Sequence, residues 1–142
     1  MLRSLIAETY LRSLEIPGVR VISSGTNVDW SDSEEREYFA NTLAVLGRHM
    51  IADHAKQVPD QLTRQRIDEA HDVVVLMNQR VMDEALALVT LPKDVHNWNI
   101  TDIGEGDRTN TDNRDLYEEQ IYQELTAKVD KLVATRLSSP TT

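Results

Sequence analysis

Arg3 and Ser4 are the residues best placed to do chemistry, because they open a helical pattern. Ile6, Tyr10 and Leu14 recur four apart, with Leu11 on the same face, the stripe of a core-facing helix. A helix N-terminus presents unpaired N–H groups and the positive end of the dipole, so a guanidinium and a hydroxyl there form half of an oxyanion or phosphate site. The chain contains no cysteine, which excludes disulfides, thiolate metal sites and thiol nucleophiles on these 142 residues. Ser4 is a weak substitute, since no histidine is placed by sequence to act as its base. His49, His54, His71 and His96 share no metal-ligand spacing and read as capping, pairing or packing residues. The acidic run Asp102, Glu105, Asp107 and Asp112 matches no calcium loop and reads as a solvated loop. Neither a metal nor a cofactor is therefore expected.

The elements that must position these residues come from an ordinary composition, 40% hydrophobic and 27% charged. The length suits one domain over 1–137, followed by a disordered tail at 138–142. Net charge is −9, which argues against nucleic acid or an anionic membrane surface as a partner. No apolar run has the length of a signal peptide or a membrane span, so the cytoplasm is the expected compartment.

Pro17-Gly18 ends the first helix, and the β-branched run at 19–24 predicts a strand closed by Gly25. Residues 31–35 carry a capping-box pattern that starts a helix with Phe39, Leu43 and Leu46 inward and Gly47 as its stop. A helix is expected over 60–70. Five consecutive apolar residues at 73–77 predict a strand covered on both faces, as in a parallel sheet. A helix over 79–89 carries Val81, Met82, Leu86 and Val89, and 95–100 alternates as a strand near the sheet edge. A polar loop at 101–113 precedes a last helix over 114–136, with Tyr117, Ile121, Leu125, Val129, Leu132 and Val133 on one face. Alternating strands and helices predict an open, mostly parallel α/β fold that binds ligands at the carboxyl ends of its strands. Those ends are Ser24-Gly25-Thr26, Met77-Asn78-Gln79 and Thr101-Asp102, with Arg3-Ser4 on the same rim.

These residues resemble the low-molecular-weight protein tyrosine phosphatase family, which includes related arsenate reductases, over essentially the whole chain. Arg3-Ser4-Leu5-Ile6-Ala7-Glu8 resembles the family's Arg-Ser-Pro-x-Ala-Glu segment at the end of its phosphate-binding loop. Val21-Ile22-Ser23-Ser24-Gly25-Thr26 is similar to its second strand, and Gly47, His54 and Gln57 to its Gly, His and Gln positions. His71-Asp72, the apolar run and Met77 are similar to its Asp-hydrophobic-Met strand. The resemblance implies a three-layer α/β/α fold with a small, mostly parallel sheet. It also implies hydrolysis of phosphotyrosine or aryl phosphate esters through a Cys-x5-Arg loop. Arg3 would be the bidentate phosphate clamp, Ser4 the substrate-site hydroxyl that steadies the thiolate, and Asp102 the general acid, with Asp107 in reserve. Ile103-Gly104-Glu105 replaces the tyrosines that follow the family's acid, so Trp30 is assigned the aromatic wall.

The family's nucleophilic cysteine and its first strand, central in the sheet, would precede Arg3 and fall outside this chain. The chain as given is therefore expected to be inactive and to leave a gap in the sheet. Either Met1 is internal to a longer product, the favoured expectation, or the sheet re-pairs or borrows a strand, for instance in a homo-oligomer. The alternative function is a non-catalytic relic of the same fold that binds an oxyanion or a protein. Arsenate reduction ranks last, because it needs redox cysteines. A phosphorylated protein or small aryl phosphate is the expected partner.

Overall fold

The computed structural model describes residues 2–69 and 71–137. In chain order these form α1 (Leu2–Ser13), α2 (Ser33–Arg48), α3 (Arg64–Asp68), β1 (Val74–Leu76), α4 (Gln79–Leu88), β2 (Val95–Asn97) and α5 (Arg114–Leu132). Short 3-10 turns at Ala52–His54 and Thr111–Asn113, and a π turn at Val133–Leu137, complete the order. The expected tail at 138–142 lies outside the described residues.

Strand β1 pairs with β2 in parallel, Val74 against Val95 through Leu76 against Asn97, with α4 as the crossover between them. The pairing extends past the strands through Trp98 N–H to Leu76 O (2.9 Å) and Ile100 N–H to Met77 O (2.7 Å). The architecture is thus mixed α/β with a small parallel sheet, as the alternating pattern predicts.

The strand expected at 19–24 is absent. Residues 19–24 join no other strand, and the only bridge beside them among the described residues pairs Gly25 with Gln61. Gly25 N–H donates to Asp60 O and Leu62 N–H to Gly25 O, both at 2.8 Å. Gly25 has no room for a side chain, because a Cβ would lie 2.8 Å from Val28 Cγ2. Two carbonyls of 19–24, those of Val21 and Ser23, are held by cationic side chains. Arg12 Nη2 donates to Val21 O, while Lys56 Nζ and Arg66 Nη2 donate to Ser23 O. A ladder needs a neighbouring backbone about 4.8 Å away, and here a cavity of about 410 Å³ separates the segment from β1.

Helix α1 is the hub of the core. Leu2, Leu5 and Ile6 pack with Phe39, Val45 and Leu46 of α2, Ile121, Tyr122 and Leu125 of α5, and Met77 and Ile100 beside the sheet. The expected stripe of Ile6, Tyr10, Leu11 and Leu14 is buried only in part. Ile6 and Leu11 are buried, Tyr10 is half-buried and Leu14 is 38% exposed, while Leu5, Thr9, Arg3 and Glu8 are buried as well. A helix packed between α2 and α5 on one side and the cavity on the other buries more than one stripe.

Local signals place the other helices well. Asp32 caps α2 by accepting from Glu34 N–H, and Asn78 caps α4 by accepting from Val81 N–H. Gly47 does not stop α2. The helix continues through Arg48, and the left-handed turn falls on exposed Met50 at φ 61°. Of the residues expected inward on α4, Val81 packs against the core and Val89 at its end is buried, whereas Leu86 is exposed and Ala85 is buried instead. The helix expected over 60–70 shrinks to α3, whose start is capped by Thr63.

Tyr10 ties α1 to the end of α5 by donating its hydroxyl to Asp130 Oδ1 at 2.7 Å. That bond, then burial and the Asp130 charge, push the phenol from its ordinary 10.0 up to about 12. Since the folded value exceeds the unfolded one, this stability is fully present below the unfolded value and disappears as pH rises through the folded one. Tyr10→Phe is expected to cost about 0.5 kcal/mol at neutral pH, the lower end for an exposed hydrogen bond. Its difference from wild type in urea unfolding should vanish at strongly alkaline pH.

Candidate functional site

Arg3 lies on the first turn of α1 with its side chain only 3% exposed, a position no long cation occupies without partners. Nη1 donates to Ile100 O at 2.8 Å, and Nη2 lies 3.4 Å from Asp102 Oδ2. Nε is buried without a hydrogen-bond partner among the described residues. Ile100 follows β2 and Asp102 opens the long loop, so the parallel sheet delivers both acceptors to the start of α1. Arg3 and Asp102, the two residues expected to share a site, are brought together.

Asp102 is itself enclosed. Its Oδ1 accepts from Ile103 N–H at 2.8 Å and from the Tyr38 hydroxyl at 3.3 Å, and Arg80 Nη2 lies 3.9 Å from Oδ2. Burial, then the Asp102 charge, pushes the Tyr38 phenol well above its usual range, so it serves as a hydrogen-bond donor. Arg114 sits over the Tyr38 ring, 5.0 Å from its centroid. Arg80 also donates to Glu105 Oε2 at 2.9 Å and pairs with Glu84. Partial burial works to raise Glu105, yet the Arg80 hydrogen bond and charge hold it below the usual carboxylate range.

The loop that carries Asp102 is folded around Arg108, which is 7% exposed. Its guanidinium donates to Thr101 O and pairs with Glu124 of α5, while its backbone closes turns with Gly104 and Glu105. A loop that reads as polar and solvated is thus anchored from inside. Compared with family models, curated proteins and solved structures, the chain matches none.

The remaining expected residues lie elsewhere. Ser4 is half-buried and lines the cavity between 19–24 and β1, on a different side of α1 from the Asp102 pair. Asp107 is exposed at the loop tip and forms no ion pair among the described residues. Trp30 packs edge-to-face on Phe39, with centroids 5.3 Å apart. The ring beside Asp102 is Tyr38, its neighbour on α2. Tyr38, Arg80 and Arg108 were not legible as site residues, because each reaches Asp102 or its loop only through tertiary packing. The described residues contain no cluster of histidine and carboxylate groups arranged to hold a metal ion, and no helix long and apolar enough to cross a membrane.

Proposed function

We propose that the chain has the three-layer α/β/α scaffold of the low-molecular-weight protein tyrosine phosphatases and binds a phosphate-type oxyanion at Arg3. The observation that carries this reading is the buried Arg3–Asp102 pair at the first turn of α1. One edge of the guanidinium is engaged by Ile100 and Asp102, while Nε keeps an unused donor. A tetrahedral oxyanion takes Nε and Nη2 together as a fork and displaces Asp102 from Nη2. The first-turn N–H groups of α1 add to its stabilisation.

Aryl phosphates are the favoured ligand class, because Tyr38 offers a ring next to Asp102 and Asp102 is the group positioned to face an ester oxygen. Covalent hydrolysis needs an activated nucleophile, and the sequence holds no cysteine. The role assigned to this chain is binding, with no turnover of p-nitrophenyl phosphate.

Thermal unfolding with added inorganic phosphate, against chloride at equal ionic strength, tests the reading. A ligand at a hundredfold its Kd stabilises by about 2.7 kcal/mol. Asp102→Asn removes the internal competitor and is expected to strengthen the phosphate effect, whereas Arg3→Lys keeps charge without the fork and should lose most of it. An equal phosphate increment in all three proteins would reduce the effect to general salt stabilisation and contradict the reading.

A further inference from the structure

Asp102 sits between two guanidinium groups and bonds closely to neither. Its Oδ2 lies 3.4 Å from Arg3 Nη2 and 3.9 Å from Arg80 Nη2, whereas a charge-assisted N–H···O bond closes to about 2.7–2.9 Å. Oδ1 is the fixed point, held by Ile103 N–H at 2.8 Å and by the Tyr38 hydroxyl at 3.3 Å. Rotation of the carboxylate about that oxygen carries Oδ2 from one arginine to the other over on the order of 1 Å.

The two arginines differ in setting. Arg3 is buried and tied to Ile100 O, while the Arg80 side chain is 49% exposed. Arg80 is nonetheless held in place. Its Nε donates to Glu105 Oε2 at 2.9 Å and its Nη1 to Glu84 Oε1, with Nη2 turned toward Asp102. Both carboxylates are fixed in turn, Glu84 by the Thr26 hydroxyl at 2.9 Å and Glu105 by Asn78 Nδ2 at 3.4 Å.

Helix stability does not account for this placement. Arg80 is the second residue of α4 after its Asn78 cap, and the first turn of α4 holds no acidic residue. The N-terminal end of a helix favours anions, so a cation there works against the dipole. A residue that breaks a local rule and is pinned by carboxylates from elsewhere points to a functional demand.

Oxyanion binding at Arg3 creates such a demand. A phosphate on Nε and Nη2 of Arg3 evicts Asp102 Oδ2, and a carboxylate left beside the bound anion repels it. The Asp102 side chain is only 16% exposed, so little water is there to receive the displaced charge. Arg80 is a cation within one rotation of that carboxylate.

We propose that Arg80 is a positioning residue for ligand entry. As a phosphate-type oxyanion engages Arg3, Asp102 passes its Oδ2 to Arg80 Nη2 while Oδ1 stays on Ile103 and Tyr38. One ion pair is exchanged for another, and no proton or covalent bond moves. The inference rests on oxyanion binding at Arg3 and adds that affinity there is set by a side chain that does not touch the ligand.

The test is calorimetric titration of inorganic phosphate, at constant ionic strength, into the full chain and into Arg80→Gln, Asp102→Asn and the double variant. Loss of one charged hydrogen bond from the bound state corresponds to about tenfold in affinity, the weakening expected for Arg80→Gln. With Asp102→Asn no carboxylate needs a receiver, so the same substitution should then change affinity less than about twofold. Arg80→Lys keeps a cation in reach of Asp102 and should recover most of the loss, which a general disturbance of α4 would not allow. Should Arg80→Gln fail to fold, Arg80→Met keeps the apolar stem without the charge and carries the same comparison. An equal loss in both backgrounds would place Arg80 on the ligand itself, and no loss in either would leave Asp102 without a receiver. Each of these overturns the exchange while binding at Arg3 stands. Phosphate that binds neither the wild type nor Asp102→Asn removes the oxyanion reading, and the exchange with it.

Discussion

Arg3→Ala is expected to destabilise the protein by about 3 kcal/mol, the lower end for removing one partner of a buried ion pair, because Asp102 keeps its bonds from Ile103 N–H and Tyr38 and the more distant Arg80. Urea unfolding should show it as a lower midpoint with an unchanged slope. The size of the effect follows from burial. The Arg3 side chain is 3% exposed and that of Asp102 16%, so water cannot take over the lost contacts, and Ile100 O also loses its donor. The double variant Arg3→Ala with Asp102→Ala should cost less than the two single losses added together, because the contact between the two side chains is then counted once. Strict additivity would show that the two side chains do not act as a pair.

Phe39→Ala is expected to cost a similar amount, about 3–5 kcal/mol, through the cavity left in the α1–α2–α5 core. Phe39 is 2% exposed and supports Trp30 edge-to-face. Trp30 should therefore shift to a more solvent-exposed emission in the same variant, read in a Trp98→Phe background because Trp98 also emits. Domains of this size have a total stability of about 5–15 kcal/mol, so either variant can leave a substantial unfolded population. A loss below about 1 kcal/mol for Phe39→Ala would mean that the core collapses around the gap, contrary to its packing with α1.

Where local chemistry decides conformation, the sequence reads directly into structure. Asp32 and Asn78 mark helix starts because their side chains satisfy N–H groups two or three residues on. The five apolar residues at 73–77 become β1 and its flanks because a two-face-covered strand needs no alternation. Where neighbours decide, the reading departs. Residues 19–24 have strand-forming composition but no adjacent backbone, so they join no ladder, and the Val21 and Ser23 carbonyls go to Arg12, Lys56 and Arg66. Helix α1 buries Arg3 and Glu8 along with its leucines, which no amphipathic stripe foretells.

The candidate site divides in the same way. Arg3 carries a local signal, a guanidinium at a helix start, and Asp102 carries a positional one, at the end of a strand. Tyr38, Arg80 and Arg108 carry none. Their roles depend on α2, α4 and α5 converging on the loop, a long-range fact that spacing along the chain does not encode. Trp30 shows the converse, an aromatic with the right type in a region that packs it on Phe39.

The most direct test of oxyanion binding is the Arg3 Nε–H resonance in the nitrogen-15-labelled protein, followed while inorganic phosphate is added at constant ionic strength. A saturable shift of that resonance is expected, with Asp102 side-chain signals moving in step as the carboxylate leaves Nη2. A resonance unmoved by phosphate, in wild type and in Asp102→Asn alike, would make Arg3 a purely structural tie between α1 and the sheet and rule out oxyanion binding there.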